Sequence, residues 1–311
     1  MIHTVLGDIA PEKLGITLCH EHIFCGSGDM AKAFGSRFCD KEQLIPVAVR
    51  QIREAKEKFG LCTLLDGTPI DLGRDVDLMV RCAEETGVNI VASTGLYYDE
   101  RSFMHGADFG WITELFLREC REGMEDTWKT DRPILPGMLK CATGAAGVTE
   151  MNRNVLTVIG TVQKETGLPL FAHNEHSIQT GPVQLDVLEQ AGANPEKIIC
   201  GHCSDSTDVP YLESLLKRGV FLGFDRLWGE EKHADTVCRL LERGWGKRLM
   251  LSRDGGAFVG FGGRRFETEM CRTENTFTAV LDDFLSALRK RGVLESEIRA
   301  MLTDNVQTLF A

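Results

Sequence analysis

The sequence predicts an α/β protein with the (β/α)8 TIM-barrel fold, and three observations lead to that prediction. Eight short apolar runs recur along the 311-residue chain, amphipathic helical patterns separate them, and no break in composition marks a linker. Eight strand–helix units in about 250 residues is the size of such a barrel, whereas an open doubly wound sheet usually has fewer strands. The glycine-rich dinucleotide turn of that second fold is also missing after the first strand. We therefore expect one barrel domain over residues 1–311.

The eight predicted strands are short and rich in apolar or β-branched residues. They cover Gly15–Cys19, Leu61–Leu65, Val88–Ser93, Ile134–Leu139, Pro169–Ala172, Lys197–Gly201, Val220–Phe224 and Arg248–Ser252. A helix is predicted over Gln43–Phe59, because apolar residues recur there at steps of three and four. Later helices are predicted to stop at glycines, namely Gly87, Gly167 and Gly219. The tail is predicted to form the eighth barrel helix and a C-terminal cap, over Asn275–Arg291 and Leu294–Leu309.

Charge and hydropathy exclude several classes of partner. The chain has 46 Asp and Glu against 35 Lys and Arg, a net charge of −11, and no basic patch, so nucleic acid is not an expected partner. No apolar run approaches the roughly 20 residues that span a bilayer. The first residues lack the basic and apolar regions of a signal peptide. We expect a cytoplasmic protein with no membrane partner.

Eleven cysteines are many for a cytoplasmic chain, but their odd number and irregular spacing argue against a disulfide framework. One segment, Cys200-Gly201-His202-Cys203, has the C-x-x-C spacing of thiol–disulfide enzymes. In those enzymes the motif opens a helix in a domain of about 100 residues. Here it lies at the end of a sixth strand, so the redox function is kept only as an alternative.

Chemically active side chains follow five of the eight predicted strands. They are His20 and His22 after the first, Lys140 after the fourth, His173 after the fifth, His202 after the sixth, and Arg253 with Asp254 after the eighth. Four of the eight histidines in the chain are among them. Because active sites of barrels lie at the C-terminal ends of the strands, we expect these residues to meet at one rim.

The types of side chain at this rim indicate a metal site. His20 and His22 are two residues apart, and alternate side chains of a strand point to the same face. Both imidazoles are therefore expected to point into the barrel mouth, and Glu21 is expected to point away. Histidine and carboxylate ligands suit zinc, manganese or cobalt. Lys140 is a cation among these ligands and must be neutral there. It is either a carbamate formed with carbon dioxide, which has two oxygens and can bridge two metals, or an amine poised for a Schiff base.

Five segments resemble, in order and spacing, the phosphotriesterase family of the amidohydrolase superfamily. They are Thr17-Leu18-Cys19-His20-Glu21-His22, Gly137-Met138-Leu139-Lys140, Phe171-Ala172-His173, Ile199-Cys200-Gly201-His202-Cys203-Ser204-Asp205 and Leu251-Ser252-Arg253-Asp254. The resemblance covers nearly the whole chain. It implies a metal-dependent hydrolase, and homodimers are common among such relatives.

The same resemblance implies a binuclear centre at the C-terminal ends of the strands. The more buried of two divalent metal ions, zinc in the first instance and manganese or cobalt otherwise, is held by His20, His22 and Asp254. The more exposed ion is held by His173 and His202, and N6-carboxylated Lys140 bridges the two together with a hydroxide. The ions polarise the attacked bond and lower the pKa of water, while Asp254 takes the proton of the nucleophile and passes it to the leaving oxygen.

The predicted substrate is a small-molecule ester, and the loops favour a lactone. Tyr97 after the third strand and Arg226 after the seventh resemble residues of the lactonase branches, where both lie near the substrate. The glycine-rich segment 255–265 is expected to permit a mobile lid and ends in a basic pair. Arg226, Arg253, Arg264 or Arg265 is then placed to bind a phosphate or carboxylate of a sugar lactone, with surface ion pairs as the alternative.

Three other functions remain open at this stage. The same centre suits a phosphotriester or phosphodiester substrate, because the metal ligands do not separate these branches. A barrel aldolase would use Lys140 as a Schiff-base amine, which leaves the four histidines without a function. A metal-free barrel used only for binding would leave all the predicted ligands unexplained.

Overall fold

The computed structural model describes residues 1–125, 127–227, 231–260 and 276–311. The strands in these ranges are β1 (Ile2–Thr4), β2 (Gly7–Ile9), β3 (Ile16–Cys25), β4 (Leu61–Asp66), β5 (Asn89–Gly95), β6 (Met138–Ala142), β7 (Leu170–His173), β8 (Ile198–Cys200), β9 (Phe221–Phe224), β10 (Leu249–Leu251) and β11 (Gly256–Val259). β1 and β2 form an antiparallel hairpin. The other nine form one parallel sheet in the order β10-β9-β8-β7-β6-β5-β4-β3-β11.

Helices separate most of the strands along the chain. They are α1 (Gly28–Phe34), α2 (Lys41–Phe59), α3 (Val76–Thr86), α4 (Phe109–Glu122), α5 (Glu150–Thr166), α6 (Gly181–Gln190), α7 (Val209–Leu216), α8 (Glu231–Glu242), α9 (Leu285–Lys290), α10 (Glu295–Arg299) and α11 (Asn305–Phe310). Short polar caps begin several of them; Asp75, for example, accepts the N–H of Leu78 at the start of α3. Among the described helices, none is long and apolar enough to span a membrane.

The segment after β10 closes the sheet onto β3. Asp254 donates its N–H to the His20 carbonyl (3.1 Å), and His22 donates its N–H to the Gly255 carbonyl (2.8 Å). The result is the predicted (β/α)8 barrel. Its interior is filled by one large apolar side chain from each of several successive strands, such as Met138, Phe171 and Phe221. A second apolar layer lies between the sheet and the helices.

Each of the eight predicted barrel strands overlaps a strand of the structure, but two boundaries were wrong in a way that matters for the site. β3 continues to Cys25, so His20 and His22 lie inside the strand, and Lys140 lies inside β6. β3 continues because β11 pairs with it in parallel and aligns Gly256 with His22. β6 continues because Lys140 and the two residues after it pair with β7. The first part of the expected glycine-rich lid is therefore a strand that extends the hydrogen-bonded ladder beyond the barrel rim.

The helix predictions agree with the structure over most of their length. α2 covers the predicted Gln43–Phe59 and is capped by Gly60, and α3 is capped by Gly87; both glycines have left-handed backbone angles. The predicted C-terminal helices are also present, but π-helical turns at Val280–Phe284 and Ala300–Asp304 interrupt them. The predicted start of the tail, residue 275, lies outside the described residues.

Candidate metal centre

Five strands carry the six predicted metal ligands to one end of the barrel. His20 and His22 lie on β3, Lys140 on β6, and His173 at the last position of β7. The other two are His202, which comes two residues after β8, and Asp254, which comes three residues after β10. These two residues have positive φ angles of 61° and 56°. Such backbone angles are uncommon outside glycine and are concentrated at functional sites.

The ligand atoms of the first group converge. The Nε2 atom of His22 lies 3.2 Å from Asp254 Oδ1, and the Nε2 atom of His20 lies 3.6 Å from the same oxygen. These three residues place their ligand atoms within 4.8 Å of one another. Two imidazoles and a carboxylate at this spacing are a suitable donor set for a divalent transition metal.

A second group of donors lies beside the first. The Nδ1 atom of His173 and the Nε2 atom of His202 are 2.6 Å apart. Lys140 Nζ lies 2.9 Å from His20 Nε2 and thus stands next to the first group. A cavity of about 220 Å³ is lined by His20, His22, Lys140, His173 and Asp254. Tyr97 and Arg226 line the same cavity. This arrangement fits the two-metal centre that the sequence predicts.

Protonation states at the site also suit metal binding. Burial, followed by the charge of Lys140, lowers the pKa of His20 to about 3, and burial holds the pKa of His173 well below its usual value. Burial opposes ionisation of Asp254, but His20 and His202 outweigh it and hold the pKa of this carboxyl well below its usual range. Metals bind neutral imidazole and ionised carboxylate, so His20, His173 and Asp254 do not need to lose a proton at neutral pH. His22 differs from them: burial lowers its pKa, but Cys25 and Asp254 outweigh burial and hold the pKa well above its usual value. His22 would therefore release a proton when a metal binds.

Lys140 is the most unusual of the buried groups. Its side chain is fully buried, only 1% exposed, and its Nζ atom lies 4.2 Å from the centre of the Phe171 ring. Among the described residues, Lys140 Nζ is hydrogen-bonded to His20 and to no carboxylate. Burial lowers the pKa of the Lys140 amine to about 8. Burial therefore gives Lys140 a much larger fraction of neutral, nucleophilic amine at neutral pH than an exposed lysine has.

Asp225 orients two of the histidines and was missed in the sequence analysis. One oxygen lies 2.8 Å from His20 Nδ1, and the other lies 3.0 Å from His202 Nδ1 and accepts the His202 N–H at 2.8 Å. Asp225 belongs to a cluster that could itself hold a metal. However, its oxygens face the Nδ1 atoms, so they fix the rings with Nε2 turned toward the centre. The signal in the sequence was its place directly before Arg226 at the end of β9.

Glu21 supports the turn that carries Asp254. It is 1% exposed and accepts hydrogen bonds from Ser252 Oγ (2.6 Å), Arg253 N (2.8 Å) and Gly255 N (2.9 Å). Burial raises the pKa of Glu21 to about 8. The Glu21 side chain was predicted to point away from the two histidines, and in that direction it reaches this turn. The sequence pattern predicted the direction of the side chain but not its hydrogen-bond partners.

Two of the predicted substrate-binding residues line the cavity. Tyr97 places its hydroxyl 3.4 Å from His173 Nδ1. Arg226 places Nε 3.1 Å from Asp254 Oδ2 and also forms an ion pair with Asp205. Both side chains therefore stand beside predicted metal ligands.

Of the other two predicted substrate-binding arginines, the structure describes only Arg253. Arg253 does not line the cavity; its N–H donates to Glu21, and the charges of Glu21 and Asp283 are among those that act on its guanidinium. Arg264, like Arg265, lies outside the described residues.

The cysteines beside the site do not support the thiol–disulfide alternative. Cys200 and Cys203 are free and fully buried, and the Cys203 thiol donates to the Cys200 carbonyl at 3.1 Å. Burial raises the pKa of Cys200 to about 12 and that of Cys203 well above its ordinary value. A reactive thiol needs a lowered pKa and access to its partner. Both thiols instead pack as small apolar groups beside the centre.

Comparison with known proteins gives one consistent family. The phosphotriesterase family matches residues 1–310. A phosphotriesterase homology protein of Mycobacterium tuberculosis is 31% identical over 99% of this chain and 97% of that protein. The solved structure of the phosphotriesterase from Mycobacterium tuberculosis matches with a TM-score of 0.89 and 31% identity, over 99% of this chain and 98% of that chain.

Two further relatives have names that differ in substrate. An aryldialkylphosphatase of Saccharolobus solfataricus is 27% identical over 97% of each chain. A phospho-furanose lactonase of Mycoplasmopsis synoviae is 28% identical over 99% of this chain and 91% of that protein. Overall identity is nearly the same for the two, so it does not separate a phosphoester from a lactone substrate.

Proposed function

Because this chain belongs to the phosphotriesterase family, a family of hydrolases that act on ester bonds, we propose that it opens the ring of a lactone at a centre of two divalent metal ions. Ester hydrolysis follows from the family, and the lactone is the proposed substrate. The observation that carries the proposal is the convergence of His20, His22, His173, Lys140 and Asp254 on one small cavity that Tyr97 and Arg226 also line. The relative named a phospho-furanose lactonase supports this choice.

His20, His22 and Asp254 would hold the more buried ion, and His173 and His202 the more exposed one, with Lys140 between them. When bound, the ions polarise the attacked carbonyl and lower the pKa of water. Asp254 is placed to accept the proton of the attacking water on its carboxylate and to return it to the oxygen that leaves the ring. Asp225 and Glu21 keep the histidine rings and the Asp254 turn in place during this transfer.

The residues at the mouth would bind and orient the substrate. The Tyr97 hydroxyl, near His173, is placed to donate a hydrogen bond to the lactone carbonyl or ring oxygen. Arg226 has a guanidinium that matches carboxylate and phosphate groups in a two-pronged geometry. We therefore propose an anionic lactone, such as a sugar-acid or sugar-phosphate lactone, with Arg226 as the group that binds the anion.

We further propose that Lys140 is carboxylated. Its neutral amine nitrogen attacks the carbon of carbon dioxide, a C–N bond forms, and one proton is released, which leaves an anionic carbamate. Nζ is buried beside His20, and no carboxylate of the described residues is hydrogen-bonded to it, which supports this step. The metals would be zinc, with manganese or cobalt as the alternatives, since these ions accept imidazole and carboxylate ligands.

The Lys140→Ala variant tests the carbamate. We expect it to lose metal and activity together, because the bridging anion is gone. Added propionate or another short carboxylate is expected to restore part of both, measured by metal analysis and by initial rates. Metal content at the wild-type level in Lys140→Ala would contradict the proposal.

A panel of esters on metal-quantified protein tests the function itself. It contains a neutral, a carboxylated and a phosphorylated lactone and a dialkyl aryl phosphotriester. We expect kcat/KM for the anionic lactones to exceed that for the neutral lactone about tenfold, and the Arg226→Ala variant to remove this difference. Equal rates on all three lactones would contradict anion recognition. A phosphotriester as the best substrate would favour the second candidate, which the aryldialkylphosphatase relative supports.

The proposed protein partner is a second copy of this chain. We infer that the chain forms a homodimer through the outer face of α4, where Trp111 is 60% exposed and Leu115 is 42% exposed. Large apolar side chains clustered at the surface are typical of protein interfaces.

A further inference from the structure

Asp71 makes an unusual contact with the loop that carries Tyr97. It lies in the short 3-10 turn Ile70–Leu72 after β4. Both of its carboxylate oxygens accept the main-chain N–H of Tyr97, at 2.9 and 3.0 Å. Hydrogen bonds from an N–H to a charged oxygen are stronger than neutral ones, so this contact is a firm constraint on one backbone position.

The contact occurs just after β5, where the regular hydrogen bonds of the sheet end. β5 ends at Gly95, whose φ angle is +143°, and Leu96 makes a long hydrogen bond of 3.3 Å to the Lys140 carbonyl. Tyr97 is the next residue, and its N–H is directed at Asp71. The Asp71 carboxylate therefore replaces the ladder hydrogen bond that β6 no longer supplies.

Asp71 is fixed from a second direction. Its carbonyl accepts a hydrogen bond of 2.8 Å from Arg101, which lies four residues after Tyr97 on the same loop. On its other side it borders a cavity of about 1070 Å³, which Leu96 and Arg101 also line. Asp71 thus ties both ends of the segment 97–101 to the turn after β4.

Tyr97 is held against the metal centre by this segment. Its ring meets the His173 ring edge-on, with 5.1 Å between the ring centres, and packs on Tyr98 at 4.1 Å. A shift of the main chain at Tyr97 would move its hydroxyl relative to His173, which it approaches to 3.4 Å.

We propose that Asp71 is a positioning residue that fixes Tyr97 over the metal centre and so determines how the substrate is oriented there. This inference rests on the proposed function, because it takes Tyr97 as a group that contacts the substrate. Asp71 itself touches neither the cavity around the metal ligands nor the ligands. Its effect on catalysis passes through Tyr97.

The test compares Asp71→Ala and Asp71→Asn with the wild type at pH 8. Burial raises the pKa of Asp71 to about 6, so the carboxylate is ionised under these conditions. We expect Asp71→Ala to lower kcat/KM for the preferred lactone about tenfold, mainly through KM, with an unchanged metal content. Asp71→Asn keeps one acceptor oxygen and is expected to lose less than Asp71→Ala.

The Tyr97→Ala background separates positioning from a general structural effect. If Asp71 acts through Tyr97, the Asp71→Ala change costs less than twofold in that background, since the group it positions is already gone. The matched control is Asp99→Asn, an exposed acid on the same loop, which is expected to keep wild-type rates. A tenfold loss that persists in the Tyr97→Ala background would overturn the proposal.

Hydrogen exchange gives a readout that needs no substrate. We expect the main-chain amide of Tyr97 to exchange at least tenfold faster in Asp71→Ala than in the wild type, with little change in the barrel strands. Unchanged exchange at Tyr97 would overturn the proposal even if activity fell. A wild-type protein that hydrolyses none of the esters would instead contradict the proposed function, and the exchange measurement would still decide whether Asp71 fixes Tyr97.

Discussion

Asp225 shows how one buried side chain can organise a metal site without being a ligand. It contacts His20 on β3 and His202 just after β8, and it is fully buried. A buried carboxylate that receives an Nδ1–H fixes the tautomer and the direction of a ligand ring. Burial opposes the ionisation of Asp225, but His202 and His20 outweigh it and hold its pKa well below the usual range.

Replacement of Asp225 by Asn tests this function. We expect the Asp225→Asn variant to bind metal 10- to 100-fold more weakly, because the amide presents an N–H to one of the two imidazoles. Competition with a chelator of known affinity measures the change. The control is Asp235→Asn on α8, since its carboxylate is 63% exposed and pairs with Arg291 at the surface. Equal metal affinity in Asp225→Asn and the wild type would refute the orienting function.

At the scale of elements, the site depends on how β5 leaves the sheet beside β6. A Cβ atom at Gly95 would lie 1.9 Å from the carbonyl oxygen of Lys140, and the φ angle there is +143°. Only glycine allows both the close approach and this backbone angle. The strand that carries Lys140 and the loop that carries Tyr97 therefore meet at a residue without a side chain.

The Gly95→Ala variant tests that close approach. We expect the free energy of unfolding to fall by about 3 kcal/mol or more, because the clash is with main chain and cannot be relieved by a side-chain rotation. Denaturant unfolding measures the loss. Gly106→Ala is the matched control: its φ angle is also positive, at +76°, but nothing lies within 4 Å of the added Cβ, so about 1 kcal/mol is expected. Similar losses in both variants would show that the contact with Lys140 is unimportant.

β11 is the second element that decides the geometry of the centre. By pairing with β3 beyond the rim, it extends the strand on which His22 lies and holds the preceding turn near Glu21. Asp254 lies in that turn. The sequence segment looked like a flexible glycine-rich lid because glycine weakens the strand pattern, and only the neighbouring strand shows that part of it is regular structure.

At the scale of the whole molecule, α4 is the least covered of the longer helices. Only Phe116 and Leu117 of its 14 residues are buried. Trp111, Leu115 and Arg118 follow one another at steps of four and three, which places them on one face. If two copies pair with antiparallel α4 helices, Leu115 of each copy lies near the two-fold axis, while Arg118 keeps its contacts with Glu122 and Trp128 of its own chain. The apolar face of α4 would then pack against the same face of the second copy.

The Trp111→Glu variant tests the homodimer. Light scattering on the wild-type protein is expected to give about twice the chain mass of 34.5 kDa, and Trp111→Glu is expected to give the mass of one chain. Leu294→Glu is a suitable control, since Leu294 is 63% exposed at the start of α10, away from α4. A wild-type protein that runs as a monomer at micromolar concentration would contradict this proposal.

The sequence by itself determined the barrel and the set of candidate ligands. Strand and helix periods are local properties of neighbouring residues, and the rule that barrel sites form at the C-terminal strand ends then groups His20, His22, Lys140, His173, His202 and Asp254. The family resemblance rested on these same segments. The alternation of side chains along a strand also predicted that Glu21 points away from the two histidines.

Only the tertiary structure distinguished the carboxylate that orients the histidines from the carboxylate placed as a metal ligand. Asp225 and Asp254 both follow predicted strands, but Asp225 meets His20 Nδ1 across 205 residues of sequence, while Asp254 approaches the Nε2 atoms of His20 and His22. The partners of Glu21 and Asp71 are likewise set by strands and loops that are distant in the chain. A one-dimensional pattern gives the direction of a side chain, but the partner depends on the closure of the barrel, which brings the residues after β10 back to β3.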